Sequence, residues 1–337
     1  MVTDIHFHLG GVRNSEHVHI SKVMRNSLSF RAICAILFLH KGRISNSAAE
    51  AWAEEVVRSA QKVDRVVALA LDWVYDEHHN IDKSRTHYRV SNELTKRFCA
   101  KLPNKILYGA SVNPNSGRKD ALARLQEAYD NGAVLIKLIP SAQDIDLADT
   151  KHIPYFDLLA KLHLPLLVHV GVEHTIPPVD NDISKQRLND PKRLELALSR
   201  GVCVIAGHCG LPIQPKDGVE AYRQLKALFR NDDYAQHLYA DVSAFFIPYP
   251  SLRAQFVDEI LDGALPHERL VLGSDFPLLP GPLTGGHTNG MDFGEMVAVL
   301  RTRNPLDKNV AALQAKGFSD CILSNADMLL RKGKIEF

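Results

Sequence analysis

Eight short apolar runs recur along the chain, separated by amphipathic stretches at intervals of roughly 30–40 residues, and this alternation restricts the fold more than any other feature. The runs cover residues 2–9, 66–72, 106–112, 134–139, 166–170, 203–208, 239–243 and 270–275. Helical periodicity lies between them at 48–61, 88–100, 118–131, 155–162, 191–199, 218–229 and 252–261. Strands joined through helices run parallel, and eight of them predict an α/β fold of the (β/α)8 TIM-barrel type rather than a doubly wound sheet. Ser116 is placed to cap the helix that begins near Arg118, and Asp190 the one opened by Pro191.

Two segments exceed what barrel connections need: an insertion after strand 1, residues 10–46, and a C-terminal helical extension after Asp275. Long loops after barrel strands lie at the catalytic face, so 10–46 is a candidate lid or substrate wall. The other reading is a helical excursion whose Ala32–Leu39 run packs on the barrel or on a second subunit. With no repeat or linker, the chain reads as a single domain over 1–337.

Hydrophobic residues make up 45% of the 337, enough for a large core, and the net charge of +1 without a basic run speaks against nucleic-acid binding. The five cysteines are odd in number and form no Cys-x-x-Cys pair, which fits reduced thiols in a cytoplasmic chain. A strand beginning at Val2 leaves no room for a signal peptide, and Ala32–Leu39 is too short to span a membrane. The expected partner is a small-molecule substrate, with neither nucleic acid nor membrane.

The first run reads Asp4-Ile5-His6-Phe7-His8 and ends in glycines, so alternation sends Asp4, His6 and His8 to one face. Among 16 histidines a His-x-His arises by chance, and His17-Val18-His19 is a second example in a polar stretch. The first pair gains weight from partners: His169 ends the fifth strand, His208 the sixth and Asp275 the eighth. Strand ends of a barrel converge on one cavity. Imidazoles and a carboxylate gathered there are ligands for zinc, iron or manganese. Burying so many polar groups without a shared purpose would be costly.

These motifs, Asp4-x-His6-x-His8, His169-Val170-Gly171, His208-Cys209-Gly210 and Gly273-Ser274-Asp275-Phe276-Pro277, resemble the amidohydrolase superfamily. They are most similar to the amidohydrolase-related branch that holds aminocarboxymuconate-semialdehyde decarboxylase-like enzymes and lactone hydrolases. The similarity extends to the closing Asn325-Ala326-Asp327-Met328-Leu329. It implies a distorted barrel and one divalent metal, zinc foremost, held by His6, His8, His169 and Asp275, with His208 beside the metal-bound water. Homodimers are common in that branch.

Lys137 interrupts the fourth strand, a run expected to be buried on both faces. Some superfamily members carboxylate a lysine there to bridge two metals; His169 and His208 would then hold the second ion. Lys137 can equally be a free amine that binds an anionic substrate, or part of a structural ion pair. Asn113, Glu173, His174 and His287 are candidate substrate-binding residues, each with a bland alternative as a turn cap, a loop salt bridge or an incidental loop histidine. Asp72 and Trp73 share that ambiguity, and Arg13 and Arg187 are candidates for recognising a carboxylate.

The expected activity is metal-dependent hydrolysis of a lactone, ester or amide of a small carboxylic acid, with Asp275 accepting the water's proton and His208 orienting the water or stabilising the oxyanion. The alternative is a metal-dependent non-oxidative decarboxylase of a small unsaturated or aromatic acid. A phosphoester hydrolase and a non-catalytic zinc-binding protein stand behind these.

Overall fold

The computed structural model describes residues 1–247, 253–278, 288 and 290–332. Ten strands are present among them: β1 (Thr3–His8), β2 (Val18–Ile20), β3 (Arg65–Leu69), β4 (Tyr88–Val90), β5 (Ile106–Ala110), β6 (Ala133–Leu138), β7 (Leu166–His169), β8 (Val204–Gly207), β9 (Leu238–Asp241) and β10 (Leu270–Val271). Eight form one parallel sheet in the order β1-β3-β5-β6-β7-β8-β9-β10. The chain just beyond β10 closes it on β1 through backbone bonds from Ile5 to Leu272, from Asp275 to His6 and from His8 to Phe276, at 2.8–3.0 Å. The result is a TIM barrel.

Inward-facing apolar residues fill its interior, among them Ile5, Val67, Leu135, Leu167, Ile205 and Val271. The helix Cys321–Lys332 packs Ala326 and Leu329 onto that cluster, and Arg65 pairs with Asp327 beside it. β1 does not alternate strictly. Asp4 faces Val66 and Phe7 faces Ala68 on β3, so one residue is extra on β1, a bulge that re-aims side chains at the strand's end.

Several boundaries differ from the sequence reading for local reasons. The stretch 88–100 divides: Tyr88–Val90 pairs antiparallel with Val18–Ile20, and the helix starts at Asn92, where Ser91 Oγ accepts from the Leu94 amide at 3.1 Å. The second His-x-His motif thus lies in and just before a strand of a separate two-stranded antiparallel sheet. Ser116 does not cap the next helix. It closes a 3₁₀ turn, Pro114–Ser116, its Oγ has no hydrogen-bond partner among the described residues, and Gly117 precedes helix Arg118–Asp130. Asp190 precedes the turn Pro191–Leu194 but makes no side-chain cap bond.

Within 10–46 the chain forms β2 and two helices, Lys22–Asn26 and Leu28–Lys41. Ser21 and Ser27 cap them, each accepting an amide proton from three residues on. The C-terminal portion folds as helices Phe293–Arg301, Pro305–Ala315 and Cys321–Lys332.

Candidate metal centre

His6 and His8, at the end of β1, place their Nε2 atoms 3.2 Å apart. Asp275, just past β10, puts Oδ1 at 3.6 Å from the first and 3.3 Å from the second. Donors bound at about 2.1 Å to one tetrahedral ion stand about 3.4 Å apart, so this triangle matches the edges of a zinc-type coordination shell. His6, His208 and Asp241 form a second close group, but there Asp241 Oδ2 lies 2.7 Å from His6 Nδ1. That separation is a hydrogen bond and is too short for two ligands of one ion.

The neighbours fix which ring nitrogen faces the cavity. Asp241 at the end of β9 accepts from His6 Nδ1, so Nε2 carries the free lone pair. Glu173 Oε2 lies 3.2 Å from His169 Nδ1, and His169 Nε2 is buried with no hydrogen-bond partner among the described residues. A buried imidazole nitrogen left without a partner beside other donors has the character of a metal ligand. Ser243 Oγ donates to Asp241 Oδ1 and sits 2.7 Å from His208 Nδ1, so that ring donates to the serine and keeps Nε2 unprotonated. Asp241 also accepts from the His208 and Ser243 amides. One carboxylate therefore orients two imidazoles.

Burial, with Lys137 next, holds His6 well below the ordinary histidine range. Burial, with His6 next, does the same for His208. Burial also lowers His169, against the pull of Glu173. All three are thereby kept in the neutral form that binds metal. Glu173 would be raised by its own burial, but His169 and backbone amides keep it below the usual carboxylate range. Backbone strain gathers here: His208, Ala244 and Asp275 all have left-handed φ, of 57°, 56° and 58°.

Lys137, on β6, is 1% exposed, and burial draws its ammonium down to about 8 against the pull of Asp241 and Asp275. Its Nζ lies 3.1 Å from His6 Nε2. No carboxylate among the described residues pairs with it within 4.0 Å, so the structural ion pair does not form. Asp4 supports the centre from below. Its Oδ1 accepts from the His6 and Ser274 amides, burial raises it to about 6, and it does not line the cavity.

The centre forms the floor of a cavity of about 950 Å³, counted with its open mouth. Met24, Phe30 and Ile33 of the insertion line it together with Val170, Ile176 and Leu211 of the barrel loops. Ser29 Oγ donates to the His174 carbonyl at 2.8 Å, tying insertion to barrel loop. Glu173 and His174 line the cavity, but both are engaged, Glu173 with His169 and His174 with Asp217 Oδ2 at 2.9 Å. Asn113 is not a cavity residue. Its amide donates to the Trp73 and Gln143 carbonyls and its Oδ1 accepts from Asn115, which leaves no group for a ligand. Asp72 pairs with Arg124, and Arg13 and Arg187 are exposed away from the cavity. His287 lies outside the described residues.

Three residues escaped the sequence reading: Asp241, Ser243 and Arg253. Asp241 carried the same signal as Lys137, a charge inside a buried strand run. Arg253 carried none. It is 2% exposed, lines the cavity, and donates to the Ala244, Leu211 and Pro212 carbonyls at 2.6, 3.0 and 3.3 Å. Burial brings its guanidinium down to about 10, opposed by Asp275.

Solved structures share this architecture at low sequence identity. An uncharacterised TIM-barrel protein of Bordetella bronchiseptica superposes with a TM-score of 0.59 at 16% identity, covering 99% of this chain and 100% of that one. A putative 2-pyrone-4,6-dicarboxylic acid hydrolase of Pseudomonas putida gives 0.55 at 15%, covering 99% and 98%. A 2,6-dihydroxybenzoate decarboxylase complexed with 2,6-dihydroxybenzoate gives 0.57 at 14%, covering 98% and 99%. No curated protein matches the sequence. The family model described as Amidohydrolase matches residues 4–289, a span that runs from Asp4 through every donor at the cavity floor, and the chain therefore belongs to the amidohydrolase family.

Proposed function

We propose that the chain is a metal-dependent hydrolase that opens a lactone, ester or amide of a small carboxylic acid. The observation that carries this reading is the His6–His8–Asp275 triangle at the floor of a mostly apolar cavity. His169, with its unpartnered Nε2, is the fourth donor, and three imidazoles with one carboxylate favour zinc. Such an ion supplies Lewis acidity and a water made nucleophilic near neutral pH.

The chain's own groups supply the rest. Asp275 takes the proton from the attacking water and hands it to the leaving oxygen or nitrogen. His208, held by Ser243, presents Nε2 to orient that water. Met24, Phe30 and Ile33 exclude bulk water and cover an apolar substrate body. Arg253 uses three N–H groups on carbonyls, and its other two remain for a substrate carboxylate at the cavity wall.

The site reads as one ion with Lys137 a free amine beside it, since His6, His8 and Asp275 form the one triangle among the described residues with ligand-edge spacing. Metal analysis with intact mass tests this: one ion per chain and an unmodified lysine are expected. A screen of lactones, esters and amides against aromatic and unsaturated acids tests the reaction. Acid release from the first group supports hydrolysis, whereas carbon dioxide from the second alone replaces it with decarboxylation, the activity named for one of the similar structures.

A further inference from the structure

The helix Leu28–Lys41 turns one apolar side to the cavity and a second to solvent. Phe30 and Leu37 are buried, and Phe30 and Ile33 line the cavity. Away from them, Leu28, Ala32, Ala35 and Leu39 share one stripe of the helix, and all four are exposed. Leu28 and Leu39 are each 82% exposed, Phe38 beside the stripe 52%, and Val23 on the preceding helix Lys22–Asn26 40%. A surface helix normally turns polar residues outward. Here an apolar ridge runs along the outside for about 16 Å. Contiguous apolar surface of this kind marks an interaction site.

The charges around the ridge are of one sign. Between Glu16 and Glu50 the sequence holds Lys22, Arg25, Arg31, Lys41 and Arg43 and no acidic residue. Lys22, Arg25, Arg31 and Arg43 are exposed, and none pairs with a carboxylate among the described residues. Arg31 borders the ridge directly, one helical turn from both Leu28 and Ala35. On the adjoining helix Asn46–Ser59 the carboxylates are already engaged, Glu55 with Lys41, Glu50 with Lys101 and Glu54 with Arg58. The outward field of this face is therefore positive.

We propose that this face lies on a bilayer surface rich in anionic phospholipid, the ridge entering the headgroup region and the cations pairing with lipid phosphates and carboxylates. No helix among the described residues is long and apolar enough to cross a membrane. What the sequence argues against is crossing, and a helix that lies flat needs only one apolar side. A second copy would bring like charges together. A soluble acidic protein would satisfy the charge, but it would need a groove matched to this convex ridge, whereas lipid chains part around it. Because Phe30 and Ile33 belong to the same helix, a lipid-bound chain keeps its cavity beside the bilayer.

Flotation of the full chain with phosphatidylserine–phosphatidylcholine vesicles in low salt tests the proposal. Binding is expected there, weaker in high salt and lost on phosphatidylcholine alone. Arg25→Glu and Arg31→Glu should each weaken it by about 10-fold or more through charge reversal. Leu28→Glu and Leu39→Glu should each weaken it as well, by placing a charge on the ridge. All four positions are exposed, so far-ultraviolet circular dichroism and the thermal midpoint should stay at wild-type values. No flotation with the anionic vesicles overturns the proposal, as does binding that ignores salt, is equal on phosphatidylcholine or survives all four variants. So does a wild-type dimer that Leu28→Glu separates while vesicles leave the wild type unbound.

Discussion

Asp241 Oδ2 accepts the Nδ1 proton of His6 at 2.7 Å, and both side chains are wholly buried. The pair sets the tautomer of the histidine at the centre of the donor cluster. Asp241→Asn should lower metal affinity 10–100-fold, because an amide neither fixes the tautomer nor raises imidazole basicity as a carboxylate does. Competition with a chromophoric chelator measures this. An unchanged affinity would remove Asp241 from its assigned role.

His6→Ala and His8→Ala should each abolish metal uptake and turnover together. Elemental analysis beside an assay on the hit from the substrate screen reports both. Activity that persists in metal-depleted His6→Ala protein would refute the hydrolytic mechanism.

Arg253→Lys keeps a cation but loses the planar fork that reaches three carbonyls and a ligand at once. For a carboxylate-bearing substrate KM should rise roughly 10-fold or more, whereas a neutral analogue should be little affected. Equal losses for both substrates would make Arg253 a loop-pinning residue only.

Gly273 approaches the centre so closely that a Cβ there would stand 2.9 Å from His6 Cβ and 3.0 Å from Ser243 Cβ. Gly273→Ala should cost about 1–3 kcal/mol of stability by overpacking and displace the His6 ring. Urea unfolding and metal titration measure the two effects, and a wild-type value in both would show that the backbone yields freely.

His152 is 2% exposed, its Nε2 has no hydrogen-bond partner among the described residues, and burial lowers it from 6.5 to about 4. The unfolded chain binds this proton first, so the contribution to stability is complete above pH 6.5 and lost as pH falls toward 4. The loss is on the order of 3 kcal/mol by the bottom of that window. The difference in unfolding free energy between wild type and His152→Gln should shrink across the same range. A difference that is flat with pH would show that the histidine titrates normally in the fold.

Much of the centre was legible because barrel topology itself performs the assembly. Once eight apolar runs close into a barrel, His6, His8, His169, His208 and Asp275 meet, since each stands at or just past the end of a strand run. Lys137 announced itself by breaking a buried run, and Asp241 offered the same signal. The partners that decide what each ring does were not legible. That His6 faces Asp241 while His169 faces Glu173 depends on ring orientation, and no linear pattern encodes it. Asn113 read equally as a cavity residue or a turn cap from its place after β5; it is the cap, its Oδ1 accepting from the Asn115 amide and its side-chain NH2 bound to neighbouring loops.

Sequence alone therefore determined the barrel, the family and the residues that converge at its mouth, because strand order and period 2 alternation are local properties summed along the chain. Tertiary structure alone decided which nitrogen of each histidine is free, that Arg253 is buried at the cavity wall, and that one helix has apolar residues on both sides. Those outcomes depend on distances between segments far apart in sequence, where a shift of 1 Å separates a hydrogen bond from a metal ligand edge.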